Sequence, residues 1–227
     1  MSGVTGVTTM PAWRRVRGPV GTVGLVAFAG FAMLTAVVVS RGGAPFALDG
    51  TLLTWSTGHR PDAAVSVAGL VTATGTGPIA YALAALAGVV AGRTARQRAL
   101  AAAAALLCLA AGQAARYAVR DLAARPRPGV QDWATHASGY AFPSGHTATS
   151  AVIAGLLVTA VLTRRSRGRA WFAAAALCWA AAVGLSRVYL GVHWFSDVIG
   201  GWLFAASWLA LCLCLAARWL LPRLPAA

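Results

Sequence analysis

Lysine and glutamate are absent from this 227-residue chain: all 19 basic residues are Arg and all five acidic residues are Asp. Without Lys there is no P-loop lysine, no Schiff-base nucleophile and no lysine base. Without Glu there is no HExxH zinc site and no glutamate base. Five scattered Asp residues cannot build many carboxylate cages, so no metal and no cofactor is expected. Charged residues are also scarce, at 11% of the chain against about 25% in a soluble domain, while apolar residues reach 59%. Lipid is therefore the expected solvent for much of the surface. The four cysteines (Cys108, Cys178, Cys212 and Cys214) lie inside apolar runs rather than polar loops. They read as small hydrophobes in helices, not as a secreted disulfide framework.

What is present fits that solvent. Six stretches are long and apolar enough to cross a hydrocarbon core of about 30 Å: 18–40, 63–92, 99–119, 145–163, 170–187 and 194–217. The fold class expected is an all-α polytopic membrane bundle of six transmembrane helices. The apolar run of the first stretch is too long for a cleavable signal peptide. The second stretch is too long for one straight crossing and carries Thr74-Gly75-Thr76-Gly77-Pro78, which can break a helix. It divides into a short helix 63–73 near the outer interface and a main crossing 78–92. Residues 46–58 are expected along the membrane surface, with Trp55 at headgroup level. The domain reading is an N-terminal cytoplasmic tail over 1–17, a membrane domain over 18–217 with its catalytic core at about 99–217, and a C-terminal cytoplasmic tail over 218–227.

The net charge of +14 calls for an anionic partner. The Arg residues stand in short groups between apolar runs, which favours a membrane surface and argues against nucleic acid. With both termini cytoplasmic, 12 of the 19 Arg fall in inner segments, as the positive-inside rule requires. All five Asp and all four His then fall on the outer side. Acid–base chemistry is expected at the extracytoplasmic face of a cell membrane.

Three segments on that face concentrate the polar residues: Arg120 to Pro128, Phe142 to Thr147, and Ser186 to Asp197. Arg120, Arg127 and Arg187 offer planar guanidinium forks that fit phosphate oxygens. Pro143-Ser144-Gly145-His146 opens a helix, where backbone N–H groups and the helix dipole favour an anion. His193 and Asp197 are four residues apart and share one helical face, so the carboxylate can hold one imidazole nitrogen protonated and aim the other outward. Two histidines, one carboxylate and three arginines suit phosphoryl transfer through a covalent histidine. In that chemistry His193 attacks phosphorus, and His146 protonates the leaving oxygen and then deprotonates water.

The same residues resemble the three-part signature of the type 2 phosphatidic acid phosphatase (PAP2) superfamily, Lys-x6-Arg-Pro, Pro-Ser-Gly-His and Ser-Arg-x5-His-x3-Asp. This chain reads Arg120-x6-Arg127-Pro128, Pro143-Ser144-Gly145-His146 and Ser186-Arg187-x5-His193-x3-Asp197. The one departure is Arg120 where the family usually has Lys. The resemblance implies a PAP2-like core with His193 as nucleophile, Asp197 as its partner and His146 as general acid. It implies Arg120, Arg127, Ser144, Gly145 and Arg187 as phosphate binders, with no metal. The implied substrate is a lipid phosphate: undecaprenyl diphosphate first, phosphatidylglycerophosphate or phosphatidate as alternatives. Transfer of the phosphoryl group to an acceptor other than water, or a lipid transporter or flippase, remain competing readings. The remaining polar residues take plainer readings: Arg116 and Arg125 as interface anchors, His59 and His136 as interfacial residues, and Trp133, Tyr140 and Trp194 as an aromatic belt.

Overall fold

The structure is a computed structural model that describes residues 12–164 and 167–220. Residues 1–11 and 221–227, most of the two expected tails, lie outside the described residues. The described residues form eight α-helices: α1 (Ala12–Ser40), α2 (Ala47–Gly58), α3 (Asp62–Ala73), α4 (Gly77–Ala91), α5 (Ala95–Ala123), α6 (Gly145–Arg164), α7 (Arg169–Tyr189) and α8 (Phe195–Leu215). No strand occurs among them.

Local chemistry sets the helix ends. The Thr94 hydroxyl accepts the Gln97 N–H at 3.2 Å and the Gln97 side chain accepts back from Thr94 N–H at 3.4 Å, a capping box that starts α5. At its other end Ala124 turns left-handed at φ 45°, and Pro126 and Pro128 keep the helix from resuming. The result is 29 residues, longer at both ends than the 99–119 expected. The extra turn carries Arg120 to the rim of the bundle.

Among the described residues five helices are long and apolar enough to cross a membrane, or six if α3 and α4, bent by 51° at the break, count as one span. This is an integral membrane bundle. The α3 segment is more than an interfacial helix. It descends along α7 until the Trp179 indole donates to Thr74 Oγ1 at 2.9 Å, and Trp179 is the middle residue of α7. The chain then breaks and α4 packs against α5 and α6. The break puts Thr76 and Gly77 in the wall of a polar cavity.

Helix α6 is the hub, in contact with α4, α5, α7 and α8. Half of its most apolar window is buried by protein, against 22% for α1 and α5, which face outward. Apolar faces gain little from meeting each other in lipid, so close approach through small residues must hold such a bundle. At Gly88 an added Cβ would overlap the backbone of Ala101 and Ala102, so α4 and α5 touch backbone to backbone there. Gly200 and Gly201 let α8 approach closely too, one against the Phe142 ring and the other against the Thr147 side chain and the Ser144 carbonyl.

Replacing Gly88 with Val should therefore force α4 from α5 and cost about 1–3 kcal/mol. Thermal unfolding in detergent should show a lowered midpoint, whereas Gly50→Ala, where added bulk meets nothing within 4 Å, should not.

Candidate active site

The site rests on a buried ion network. Arg125 is fully enclosed. Its Nη1 donates to Asp197 Oδ1 at 2.6 Å and its Nη2 to Asp49 Oδ2 at 2.9 Å. Asp49 comes from α2 and also accepts from Ser196 N–H at 2.8 Å, Ser196 Oγ at 2.6 Å and Phe46 N–H at 3.0 Å. Arg125 donates further to the Gly43 carbonyl at 3.2 Å. One guanidinium thus ties the end of α1, the start of α2, the loop after α5 and the start of α8. Both carboxylates keep partners on each oxygen, which an ion pair this deep requires.

This network positions His193. Asp197 Oδ2 lies 3.3 Å from His193 Nδ1 and accepts the Trp194 N–H at 2.9 Å. On the other side of the ring, Arg127 Nη1 lies 2.9 Å from Nε2. A guanidinium can only donate and a carboxylate can only accept. Both contacts therefore fix one tautomer, with the proton on Nδ1 and a lone pair on Nε2. Burial first, then the charges of Arg127 and Arg187, hold the His193 pKa well below the usual imidazole value. The ring is neutral at pH 7.

The Nε2 edge faces a polar cavity of about 460 Å³. Four guanidiniums line it (Arg116, Arg120, Arg127 and Arg187) with His146, His193 and Gly145. No carboxylate lines it among the described residues. Arg127 spends its donors on the chain: Gly139 O at 2.9 Å, Val192 O at 2.7 Å, Ser138 O at 2.9 Å and Tyr140 O at 3.2 Å, besides His193. Burial lowers its pKa, with Asp197 opposing. Arg187 is buried and makes one hydrogen bond, to Thr72 Oγ1 at 3.3 Å. Arg120 pairs with Asp121 at 2.7 Å on the rim. Gly145 opens α6 beneath them, with His146 next in the chain.

Six of the eight residues picked from the sequence meet at the cavity wall: His193, His146, Arg120, Arg127, Gly145 and Arg187. The other two lie behind it, both fully buried. Asp197 backs His193. Ser144 accepts from Thr147 Oγ1 at 2.9 Å and its N–H donates to the Asp197 carbonyl at 3.1 Å, locking α6 to α8. Arg116 and Arg125 are not interface anchors, being 6% and 0% exposed. His136 and Tyr140 also line the cavity. The Trp133 and Trp194 indoles donate to the Pro128 and Pro126 carbonyls at 2.9 and 3.0 Å, fastening the loop that carries Arg125 and Arg127.

The arrangement holds an unprotonated imidazole nitrogen against a cation-walled cavity, which is suited to attack on an anionic phosphorus centre. The profile of the PAP2 superfamily matches residues 31–220. The chain belongs to the PAP2 superfamily. Among solved structures it resembles a transmembrane PAP2-type phosphatidylglycerolphosphate phosphatase from Bacillus subtilis, with a TM-score of 0.68 and 26% identity, covering 83% of this chain and 93% of that one. Similar curated proteins include an undecaprenyl-diphosphatase from Sulfolobus acidocaldarius, 39% identical over 71 residues, 31% of each chain. Phosphatidylglycerophosphatase B of Bacillus subtilis is 41% identical over 70 residues, 29% of this chain and 34% of that one. Phosphatidylglycerophosphatase B of Escherichia coli is 40% identical over 83 residues, 34% of this chain and 32% of that one. The matched stretches span about a third of the length of these curated relatives.

In this PAP2 chain the ion network gives a sharp contrast. Arg125→Gln strands Asp49 and Asp197 in the interior and should cost about 3–5 kcal/mol. Arg120→Gln removes an ion pair whose Asp121 partner is 57% exposed and should change stability by less than about 1 kcal/mol. Thermal unfolding of the two variants side by side checks both.

Proposed function

We propose that this protein is a lipid phosphate phosphatase working through a phosphohistidine, with undecaprenyl diphosphate its leading substrate. The observation that carries the reading is the His193 Nε2 lone pair, fixed by Asp197 and Arg127 at a cavity lined by guanidiniums. The printed names of the similar proteins, an undecaprenyl-diphosphatase and phosphatidylglycerophosphatases, support the lipid phosphate class. Phosphatidylglycerophosphate is the second reading, because two of those three relatives carry its name.

In the first step the phosphoryl group enters the cavity and its oxygens draw donors from Arg187, Arg120 and the α6 N-terminus at Gly145. One N–H of Arg127 turns from Nε2 to a phosphoryl oxygen, which releases the lone pair. Nε2 attacks phosphorus in line with the bond to the leaving oxygen. Asp197 stabilises the positive charge that develops on the ring. His146 gives its proton to the leaving oxygen. In the second step His146 takes a proton from water, the water oxygen bonds to phosphorus, the N–P bond breaks and inorganic phosphate leaves. The arginines carry the charge stabilisation that a metal ion supplies in other phosphatases.

A substrate with its tail in the bilayer presents its phosphate at the rim of the bundle, where α5 ends and α6 and α8 begin. We place this rim at the extracytoplasmic face, with both termini cytoplasmic, because 12 of the 19 Arg then lie inside.

Wild-type protein in detergent should release phosphate from undecaprenyl diphosphate in EDTA, and His193→Ala should lose at least about 10³-fold in kcat. Unchanged turnover by His193→Ala, or abolition by EDTA, overturns the mechanism. The lowered His193 pKa sets a second expectation. Only protonation removes the nucleophile, and protonation is displaced to low pH. The acid limb of kcat/KM, corrected for substrate ionisation, should thus lie below pH ~6.5, the ordinary imidazole value.

A further inference from the structure

Arg116 belongs to none of the three signature segments, yet it is the most unusual charge in the cavity. It is 6% exposed, lines the cavity and forms no ion pair among the described residues. Its Nε is buried with no hydrogen-bond partner. Its guanidinium lies over the Tyr117 ring at 3.9 Å, a contact that orients the fork without neutralising it. A buried cation left this way is costly unless something anionic meets it.

Its place in the cavity says which anion. Arg127 gives its donors to backbone carbonyls and His193, and frees only the one on His193 for the phosphoryl group under attack. Arg187 precedes His193 at the end of α7 and serves the phosphoryl group under attack. Arg116 lies across from them on α5, one helical turn deeper than Arg120 and on the same face. A Cβ added at Gly145 would come 3.2 Å from the Arg116 Cζ. Arg116 therefore stands beside the residue before His146, the side chain assigned above to protonate the leaving oxygen.

We infer that Arg116 binds the leaving-group phosphate of a lipid diphosphate, making this site selective for diphosphates over monophosphates. The inference rests on the phosphatase reading above. The Nε2–P bond forms to the terminal phosphorus and the P–O bond to the bridging oxygen breaks, its electron pair passing to that oxygen. The departing group is a lipid monophosphate, whose growing charge Arg116 meets directly, with the His146 proton completing it. Water then cleaves the phosphohistidine as before. A monophosphate substrate leaves as an alcohol and offers Arg116 nothing to bind.

The test compares farnesyl diphosphate with farnesyl phosphate, so that the tail is constant, on full-length wild type and Arg116→Gln. Loss of a buried charged hydrogen bond should lower kcat/KM on the diphosphate roughly 10- to 100-fold. The effect on the monophosphate should stay within about threefold. Arg116→Lys, which keeps the charge but not the fork, should fall between. Equal losses on both substrates, or no loss on the diphosphate, overturn the inference. Calorimetric binding of inorganic pyrophosphate and phosphate gives a readout independent of turnover. Wild type should bind pyrophosphate at least about tenfold more tightly, and Arg116→Gln should lose that difference. Wild type that hydrolyses neither substrate but keeps this preference refutes the phosphatase reading and not the Arg116 assignment. Equal affinity for the two anions refutes the assignment.

Discussion

The fully enclosed guanidinium of Arg125, held between Asp49 and Asp197, is the contact on which the site's geometry depends. A cation and two anions this deep are stable only together, because each one stranded alone is an uncompensated charge in a low-dielectric interior. The requirement converts into position. Asp49 must stay at the start of α2, Arg125 in the loop after α5, and Asp197 in the first turn of α8. Asp197 then has only one oxygen left to face His193, and the imidazole has one tautomer left to adopt. The reactive lone pair is thus a consequence of charge pairing several bonds away.

The cavity above shows the opposite arrangement. Its four guanidiniums have no carboxylate among the residues lining the wall. Cations repel, so this cluster is stabilised by the scaffold around it, by the rim pair of Arg120 with Asp121 and by an incoming anion. Part of the repulsion is managed by hydrogen bonds from Arg127 to backbone carbonyls and by the Tyr117 ring beneath Arg116 and Arg120. The two halves of the site divide the work. In the proposed function, balanced charge below sets the nucleophile, and the excess positive charge above meets the phosphate of a membrane lipid.

Much of this was legible in the sequence. Apolar run lengths gave the all-helical membrane bundle, and the break at 74–78 was visible as Gly-Thr-Gly-Pro. The four-residue spacing of His193 and Asp197 announced their pairing, although His193 stands just before α8 instead of on its face, and the structure brings Arg120, Arg127, Gly145, His146 and Arg187 to the same cavity. What was not legible is instructive. Asp49 and Arg125 are 76 residues apart, and no local pattern links an acid at the start of one helix to an arginine in a distant loop. A signal for Arg125 did exist. It stands two residues before Arg127 in a Pro-interleaved segment that is extended, yet Pro126 between them makes the pair read as one basic patch. In the structure one guanidinium turns inward and the other faces the cavity. Arg116 was open to discovery too, four residues before Arg120 and so on the same helical face. The depth reached by α3 was not, because only its packing against Trp179 fixes it.

The central claim is that Nε2 of His193 becomes covalently bonded to phosphorus. Rapid mixing of the enzyme with a terminally ³²P-labelled lipid diphosphate, quenched in alkali and mapped by peptide, addresses it directly. The account predicts a transient, acid-labile, alkali-stable label on the peptide containing His193, absent from His193→Ala and longer-lived in His146→Ala, where the water loses its base. Label on any other residue, or full turnover with no labelled protein at any time, would contradict it.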